Sequence, residues 1–237
     1  MTSFRLAYVP GATPAKWVRT WAERQPDVPL ELVPVAAADA TALLRSGGAD
    51  AALLRSSLDR DGLHAIPLYT ETTVVVVPKD HLIAAVDEVS TVDLADEVVL
   101  HPLDDTLEWA PLPGRPALSR PETTADAIEL TAAGVGVLVV PQSLARLHHR
   151  RDLTYRTVAD APQSSVALSW LEDGTTDLME TFIGIVRGRT VNSTRGRQQP
   201  PTERKRQERK PAAAKSAGKP VRRGGGAPKR GKPRRKG

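Results

Sequence analysis

The chain has 237 residues, of which 40% are hydrophobic and 4% aromatic, so its core must be built from Val, Leu, Ile and Ala. This composition suits an α/β protein in which helices cover the sheets. Cysteine is absent, which excludes a disulfide framework and thiolate chemistry. The N-terminus predicts a strand and a turn, not a signal peptide, and no run approaches the roughly 20 apolar residues that span a bilayer. We therefore expect a cytoplasmic protein with no membrane partner.

The net charge of +5 conceals two regions of opposite sign. Residues 1–186 contain 14 Lys/Arg and 26 Asp/Glu, a net charge of −12, whereas residues 187–237 contain 19 Lys/Arg and 2 Glu, a net charge of +17. Apolar content falls sharply after Gly188. Such a segment cannot bury enough apolar surface to offset the entropy of ordering. The sequence therefore predicts a globular domain over residues 1–187 and a disordered basic tail over residues 188–237.

The first quarter of the chain predicts alternating strands and helices, with strands at 4–9, 30–35 and 51–54. Thr13, before Pro14, is expected to cap the first helix, and Asp39 the second. Trp17 and Trp21 recur at helical spacing, which predicts that they pack in the core. Strands that alternate with helices predict a parallel sheet with right-handed crossovers.

Further along, strands are expected at 68–78, 97–101, 137–140 and 166–170. Three more helices are expected, ending near Gly134, Leu147 and Gly188, with Thr124 as the cap of the first. Residues 103–121 are rich in proline and predict an irregular loop.

Five segments in sequence carry a family resemblance. They are Arg5-Leu-Ala-Tyr-Val-Pro-Gly, Trp21-Ala-Glu-Arg-Gln-Pro-Asp-Val-Pro-Leu-Glu-Leu-Val, Leu44-Arg-Ser-Gly-Gly-Ala-Asp-Ala-Ala-Leu, Val77-Pro-Lys-Asp-His-Leu and Ala132-Ala-Gly-Val-Gly-Val-Leu-Val-Val-Pro. Together they resemble the effector-binding domain of LysR-type transcriptional regulators over residues 4–187. The resemblance implies an α/β, type-2 periplasmic-binding-protein-like fold, in which two lobes are joined by two crossing strands and a ligand lies in the cleft.

The resemblance places lobe I at about 3–74 and 158–187 and lobe II at about 75–157, with crossing strands near 68–76 and 153–158. Full-length members begin with a winged helix-turn-helix and a linker helix. This sequence begins at the first effector-domain strand, so a stand-alone effector domain is expected. The Pro-rich segment 103–121 replaces the helical stretch that the family has before Thr123, which predicts a smaller lobe II and an altered cleft.

Candidate ligand contacts follow from the architecture, because ligands of open α/β sheets lie beyond the carboxyl ends of strands, near helix N-termini. The family's ligand contacts fall in the same loops. The ligand-binding candidates are Gly11, Ala12, Thr13, Val35, Ala36, Arg55, His101, Asp104, Thr123 and Thr124. An alternative interpretation stays open for three of these residues. In it, Thr13 and Thr124 serve only as helix caps, and Arg55 is a solvated loop arginine. The loop 35–38 also lacks the hydroxyl side chains that would favour a carboxylate ligand.

Motifs of enzymes and metal proteins are not visible in the sequence. Gly226-Ala-Pro-Lys-Arg-Gly-Lys-Pro superficially matches a phosphate-binding loop but lacks the final Ser/Thr and follows no strand. No spaced His/Asp/Glu cluster predicts a metal site. We predict no cofactor, no metal and no enzymatic activity; catalysis through His101 or Asp104 is the alternative.

The basic tail carries closely spaced cations with no aromatic residues between them. The nucleic-acid-binding candidates are Arg204, Lys205, Arg206, Arg222, Arg223, Lys229, Arg230, Lys232, Arg234, Arg235 and Lys236. Cations that neutralise phosphates release counterions, which predicts sequence-independent and salt-sensitive binding. Without aromatics there is no stacking platform for single-stranded bases. A solubilising tail, or one that folds back on the acidic body, is the alternative.

Two functional hypotheses follow. In the first, a small-molecule effector binds between the lobes and regulates transcription, through a homodimer, a heterodimer with another regulator, or contacts of the tail with DNA. In the family the first helix forms a dimer contact, so Trp17 or Trp21 is a candidate to face a partner. In the second, the cleft is vestigial and the tail docks RNA, the ribosome or another polyanion. A loop 103–121 that fills the cleft favours the second; an open cavity lined by Thr13, Arg55 and Thr124 favours the first.

Overall fold

Two separate β-sheets with helices packed against them organise the chain in the computed structural model, which describes residues 3–55 and 61–189. The described residues all belong to one compact unit, residues 1–193. The nucleic-acid-binding candidates of the basic tail lie outside the described residues. Every helix in the described ranges is too short or too polar to cross a membrane.

The first sheet contains five strands in the order β2-β1-β3-β11-β4. They are β1 (Phe4–Tyr8), β2 (Leu30–Pro34), β3 (Ala51–Arg55), β4 (Leu63–Glu71) and β11 (Ser164–Leu171). Helices α1 (Ala15–Arg24) and α2 (Ala40–Arg45) connect the three parallel strands, and α5 (Asp177–Val186) follows β11. Strand β11 runs antiparallel to both of its neighbours. We call this sheet and its helices lobe I.

The second sheet contains six strands in the order β6-β10-β5-β9-β7-β8. They are β5 (Thr73–Pro78), β6 (Glu88–Val89), β7 (Val98–Leu100), β8 (Arg115–Pro116), β9 (Val137–Pro141) and β10 (Leu153–Val158). Its helices are α3 (Thr124–Ala132) and α4 (Gln142–Leu147), and single 3-10 turns form at Leu82–Ala85 and Val92–Leu94. We call this sheet and its helices lobe II.

The chain crosses between the two sheets twice. Strand β4 ends at Glu71 and β5 begins at Thr73, so Thr72 alone separates the lobes at the first crossing. The return crossing is the segment 159–163, between β10 and β11. Residues 153–158, predicted as a crossing strand, instead pair with β5 and β6 inside lobe II. The prediction of a two-lobed α/β fold is confirmed.

The core of lobe I is organised around three aromatic rings. The ring of Phe4 on β1 stacks on Trp21 of α1 with centroids 4.8 Å apart, and lies 5.1 Å from Phe182 of α5. The Trp21 indole N–H donates to the Val28 carbonyl at 2.8 Å, so its polar atom is satisfied inside the core. Trp21 is therefore a core residue, as predicted, and Trp17 packs partly buried against the same core.

The core of lobe II lies on both faces of β5. Val75 and Val77 pack into one apolar cluster and Val74 and Val76 into another, because side chains of a strand alternate between the faces of a sheet. A continuous run of valines is thus what a strand buried on both faces requires. Trp109, from the Pro-rich loop, packs against the Val75 cluster. This part of the loop covers lobe II.

Three predicted helix caps are wrong. Helix α1 follows Pro14 with no side-chain cap, so Thr13 does not cap it. Asp39 makes no capping bond to α2, because the 3-10 turn Ala37–Asp39 leads directly into that helix. The cap of α3 is Thr123, not Thr124. The Thr123 hydroxyl accepts from the Asp126 N–H at 3.1 Å, and the Asp126 carboxylate accepts from the Thr123 N–H at 3.1 Å. This reciprocal pair is a capping box, which fixes where α3 begins.

Candidate ligand-binding cleft

The loops that follow β1 and β2 border a cavity between the two lobes, with a volume of about 990 Å³, which we call the larger cavity. From lobe I it is lined by the predicted candidates Gly11, Ala12, Thr13, Val35 and Ala36. Lobe II contributes Gln142, Ser143, Arg146 and Leu147, all on α4. The first crossing, at Glu71 and Thr72, forms part of its wall.

A second interlobe cavity, of about 460 Å³, lies beside the first, and we call it the smaller cavity. Lobe I contributes Pro10, residues 36–38 and Arg55. Lobe II contributes residues 103–106, 123–125, Leu144, Leu147 and His148. Pro10, Ala36 and Leu147 line both cavities, so the two lie side by side in the cleft between the lobes.

Arg55 is not a solvated loop arginine, and that interpretation is wrong. Its side chain is only 2% exposed, and its guanidinium forms an ion pair with the Glu71 carboxylate. It also donates to the Ser164 hydroxyl at 2.9 Å, the Pro10 carbonyl at 3.0 Å and the Ser143 hydroxyl at 3.3 Å. A buried charge is tolerated only when it is paired and hydrogen-bonded, and these contacts meet that requirement.

The contacts of Arg55 join every part of the hinge. Glu71 ends β4 just before the first crossing, Ser164 begins β11 just after the second, and Ser143 lies on α4 of lobe II. Gly11 lies against these side chains and has φ at +84°. A Cβ at this position would collide with the Ser143 hydroxyl and approach the Arg55 guanidinium. Since Glu71 neutralises it, Arg55 anchors the hinge instead of offering a free charge to a ligand.

Asp104 and Thr124 meet at the start of α3, on the lobe II wall of the smaller cavity. The Thr124 side chain is buried, and its hydroxyl donates to the Asp104 carboxylate at 2.9 Å. A helix N-terminus carries a partial positive charge that favours an anion. The exposed Asp104 carboxylate therefore lies where the helix field is favourable for it.

His101 borders neither of the two cavities. Its Nε2 lies 3.1 Å from the Asp105 carboxylate, which also accepts from the Leu107 N–H at 3.0 Å and the Trp109 indole N–H at 3.2 Å. Burial raises the pKa of Asp105, and the Leu107 N–H and His101 oppose that rise. Asp105 lines the smaller cavity and was missed by sequence reasoning. The available signal was its position next to Asp104, in the loop that follows β7.

Sequence reasoning also missed the contribution of α4. This helix starts directly after β9, so the rule that ligands lie beyond the carboxyl ends of strands applied to it as well. Arg146 on α4 is exposed to the larger cavity, and its Nε lies 3.4 Å from the Tyr155 hydroxyl. Over residues 3–55 and 61–189, no three His, Asp or Glu side chains gather in a way that would hold a metal ion.

The sequence matches the family described as LysR substrate binding domain over residues 4–190. A probable hydrogen peroxide-inducible genes activator of Mycobacterium avium is 32% identical over 131 residues, which are 52% of this chain and 42% of that protein. The HTH-type transcriptional regulator AlsR of Bacillus subtilis (strain 168) is 25% identical over 179 residues, 71% of this chain and 59% of that protein. The chain thus spans about half the length of these curated relatives.

Solved structures show the same fold. The effector binding domain of a BenM variant superposes with a TM-score of 0.67 at 18% identity, covering 79% of this chain and 94% of that one. A cysteine-to-serine mutant of OxyR from Corynebacterium glutamicum, with hydrogen peroxide bound, gives a TM-score of 0.63 at 24% identity, covering 79% and 67%. Because the family match extends over most of the sequence, this chain belongs to the LysR substrate-binding domain family.

Proposed function

We propose that this chain is a ligand-sensing regulatory domain that holds a small molecule between its two lobes and relays binding to transcription. The observation that carries the proposal is the open cleft, whose cavities of about 990 and 460 Å³ are lined from both lobes. These volumes fall in the range of small-molecule sites. A ligand that touches both lobes stabilises the lobe arrangement it fits best, by its differential affinity.

The Pro-rich loop supports this proposal over a vestigial cleft. Trp109 and Leu112 pack against the core of lobe II, and residues 103–106 form a wall of the smaller cavity without filling it. Thr13 lines the larger cavity, and Arg55 and Thr124 line the smaller one. An open cleft bordered by these side chains is the arrangement that ligand sensing requires.

We propose that the signal is reversible binding and not oxidation of a thiol. Two relatives are named for hydrogen peroxide, and one solved neighbour is an OxyR mutant with hydrogen peroxide bound. The 237 residues of this chain contain no cysteine, so the thiol chemistry of a peroxide sensor is not available to them. No step of the proposal needs catalysis.

The ligand half of the proposal is tested by blocking the cleft. Ala36 is exposed and lines both cavities, so Ala36→Trp should fill the junction between them while leaving the unliganded fold stable. Thermal unfolding of the full chain with a panel of metabolites should identify compounds that raise the Tm of the parent and not of this variant. Ala22→Trp, at an exposed position of α1, is the matched control. Equal stabilisation of all three proteins would contradict ligand binding in the cleft.

The output to transcription is proposed to pass through a second copy, another regulator, or the cationic residues after Gly188. Filter binding of duplex DNA and RNA over a salt series should show that the full chain binds with an affinity that falls steeply as salt rises. A chain that ends at Gly188 should lose this nucleic-acid binding. If the full chain and the shortened chain bind nucleic acid equally, the tail has no role in the binding. RNA binding that no ligand alters would favour the interaction module, for which the +17 charge of residues 187–237 is the supporting observation.

A further inference from the structure

The two cavities of the cleft are bordered by side chains of opposite charge. Arg146 borders the larger cavity, which we call the basic end, whereas Asp104 and Asp105 border the smaller cavity, which we call the acidic end. Arg55 and Glu71, which also border the cleft, form an ion pair that is internally neutral. A molecule that reaches into both cavities therefore meets a cation in the larger and acidic side chains in the smaller.

At the acidic end, the Asp104 carboxylate occupies the N-terminus of α3, a position that favours an anion. Asp104 accepts from the Thr124 hydroxyl at the N-terminus of α3. Among the described residues, no Lys or Arg forms an ion pair with Asp104. A second anion at this helix end would be repelled by Asp104, because like charges in a partly buried site are weakly screened.

Other titratable groups near the acidic end include Asp105, His101, His148 and Arg120, whose guanidinium donates to the His101 and Pro102 carbonyls at 2.8 and 2.7 Å. Asp105 is directed to His101 and to two N–H donors, so its hydrogen bonds are made within lobe II. His148 also lines the smaller cavity. The exposed carboxylate of this end is that of Asp104.

The basic end can receive an anion. The Arg146 guanidinium contacts the Tyr155 hydroxyl, 3.4 Å from its Nε, and among the described residues no carboxylate forms an ion pair with it. The carboxylate that shares the larger cavity, Glu71, is paired with Arg55. Hydroxyl groups of Thr13, Thr72 and Ser143 line the same cavity and are suited to hydrogen-bond carboxylate oxygens.

From this layout, and resting on the proposed function, we propose that the cleft selects a ligand with both charges, an amino-carboxylate. Its carboxylate lies toward Arg146 in the larger cavity, and its ammonium group lies toward Asp104 in the smaller cavity. Simple carboxylates satisfy only the basic end and leave Asp104 without a cation.

The proposal is tested with probes that differ only in charge. Isothermal titration of the full chain at low salt and about pH 8 uses amino-carboxylates of three to six carbons and the matching carboxylates and amines. At least one amino-carboxylate should bind about tenfold or more tightly than both of its single-charge counterparts. Asp104→Asn should remove that preference while carboxylate binding is kept, and Arg146→Gln should weaken binding of every carboxylate-bearing probe. Glu108→Gln, an exposed acid outside both cavities, is the matched control.

Two results overturn the proposal. Carboxylates that bind as tightly as amino-carboxylates, with Asp104→Asn unchanged or improved, exclude selection for an ammonium group and leave the proposed function standing. Absence of binding by every probe also excludes an amino-carboxylate ligand, and the metabolite panel with Ala36→Trp then decides on the proposed function separately. Because both substituted side chains lie at the surface, urea unfolding of each variant distinguishes lost recognition from lost folding.

Discussion

Arg55 places a full charge where only 2% of its side chain meets solvent. Its partners Glu71, Ser143 and Ser164 lie 16, 88 and 109 residues away in the sequence. The position of Arg55 at the end of a strand was therefore predictable, but its burial was not, because these partners come together only when the two lobes assemble. The same holds for Asp105, whose burial depends on Trp109 and on a loop without regular structure.

Removing the charge of Glu71 should destabilise the protein strongly. Glu71→Gln leaves Arg55 buried beside a neutral side chain, and breaking one partner of a buried pair costs about 3–5 kcal/mol. Since glutamine keeps one acceptor oxygen, we expect a loss near the lower end, about 3 kcal/mol, measured by urea unfolding. Glu129→Gln is the matched control, because Glu129 pairs with Arg150 while 67% exposed. That change should cost less than about 1 kcal/mol. Equal losses would mean that the Arg55 pair contributes no more than a surface pair.

At the scale of helices and strands, the apolar runs were the reliable signal. The valine run of β5, the alternation that produced β1 to β3 and the glycine that follows α3 all lie where the sequence predicted them. The start positions of helices were less predictable. Thr123 and Thr124 are chemically equal candidates for the cap of α3, and only the reciprocal bond with Asp126 selects Thr123. At α1, Thr13 has the same side chain and makes no capping bond.

The capping difference can be measured directly. Thr123→Ala removes the cap of α3 and should lower the free energy of unfolding by about 1 kcal/mol. Thr13→Ala should change it by less than about 0.5 kcal/mol, because the Thr13 hydroxyl forms no capping bond to α1. Equilibrium unfolding in urea compares the two exposed threonines. A larger loss for Thr13→Ala would contradict the assignment of Thr123 as the cap.

The return crossing is held by an aspartate whose ionisation should make stability depend on pH. Asp160 accepts from the Thr91 hydroxyl and the Thr91 N–H, each at 2.7 Å, and these bonds hold the pKa of Asp160 below its ordinary value of 3.8. Because the unfolded chain then binds more protons in acid, the contribution is present above the ordinary Asp value and is lost as the pH falls through the lower, folded pKa.

Asp160→Asn should therefore make the unfolding midpoint less dependent on pH between about pH 5 and pH 2. Thr91→Val removes the hydroxyl donor and keeps the backbone donor, so it should reduce the dependence by a smaller amount. Urea unfolding over this pH range provides the measurement. If Asp160→Asn retains the full acid dependence of the parent, the crossing is not stabilised by this carboxylate.

For the whole molecule, the sequence predicted two lobes and the loops that face one another across the cleft. It did not predict how closely the lobes approach, since that distance depends on packing between residues far apart in the chain. Gly11 marks a close approach, where the loop after β1 meets Ser143 of α4. Thr72 is the single residue between the lobes at the first crossing, and its carbonyl accepts from the Gln142 N–H at 2.9 Å. The first crossing is therefore short and hydrogen-bonded to the start of α4.

Gly11→Ala tests the contact between the lobes. Both Gly11, at φ +84°, and Gly134, at φ +74°, are left-handed, so alanine costs about 1 kcal/mol of backbone strain at either position. A Cβ at Gly134 meets open space, whereas one at Gly11 meets Ser143 and Arg55. We expect Gly11→Ala to lose about 1–3 kcal/mol more than Gly134→Ala in urea unfolding, because of overpacking. It should also weaken ligand binding. Equal losses would show that the lobes adjust freely at this point.

The place of β11 in the first sheet bears on how the protein is made. This strand lies between β3 and β4, so it completes a sheet whose other strands all end at Glu71 or earlier, whereas β11 begins only at Ser164. Lobe II is one uninterrupted stretch and can fold as it leaves the ribosome, whereas lobe I must wait with an open gap. During that interval the edges of β3 and β4 are exposed to wrong pairing with other nascent chains. Residues 164–171 therefore complete the first sheet, and a chain truncated before them would leave β3 and β4 with unpaired, aggregation-prone edges.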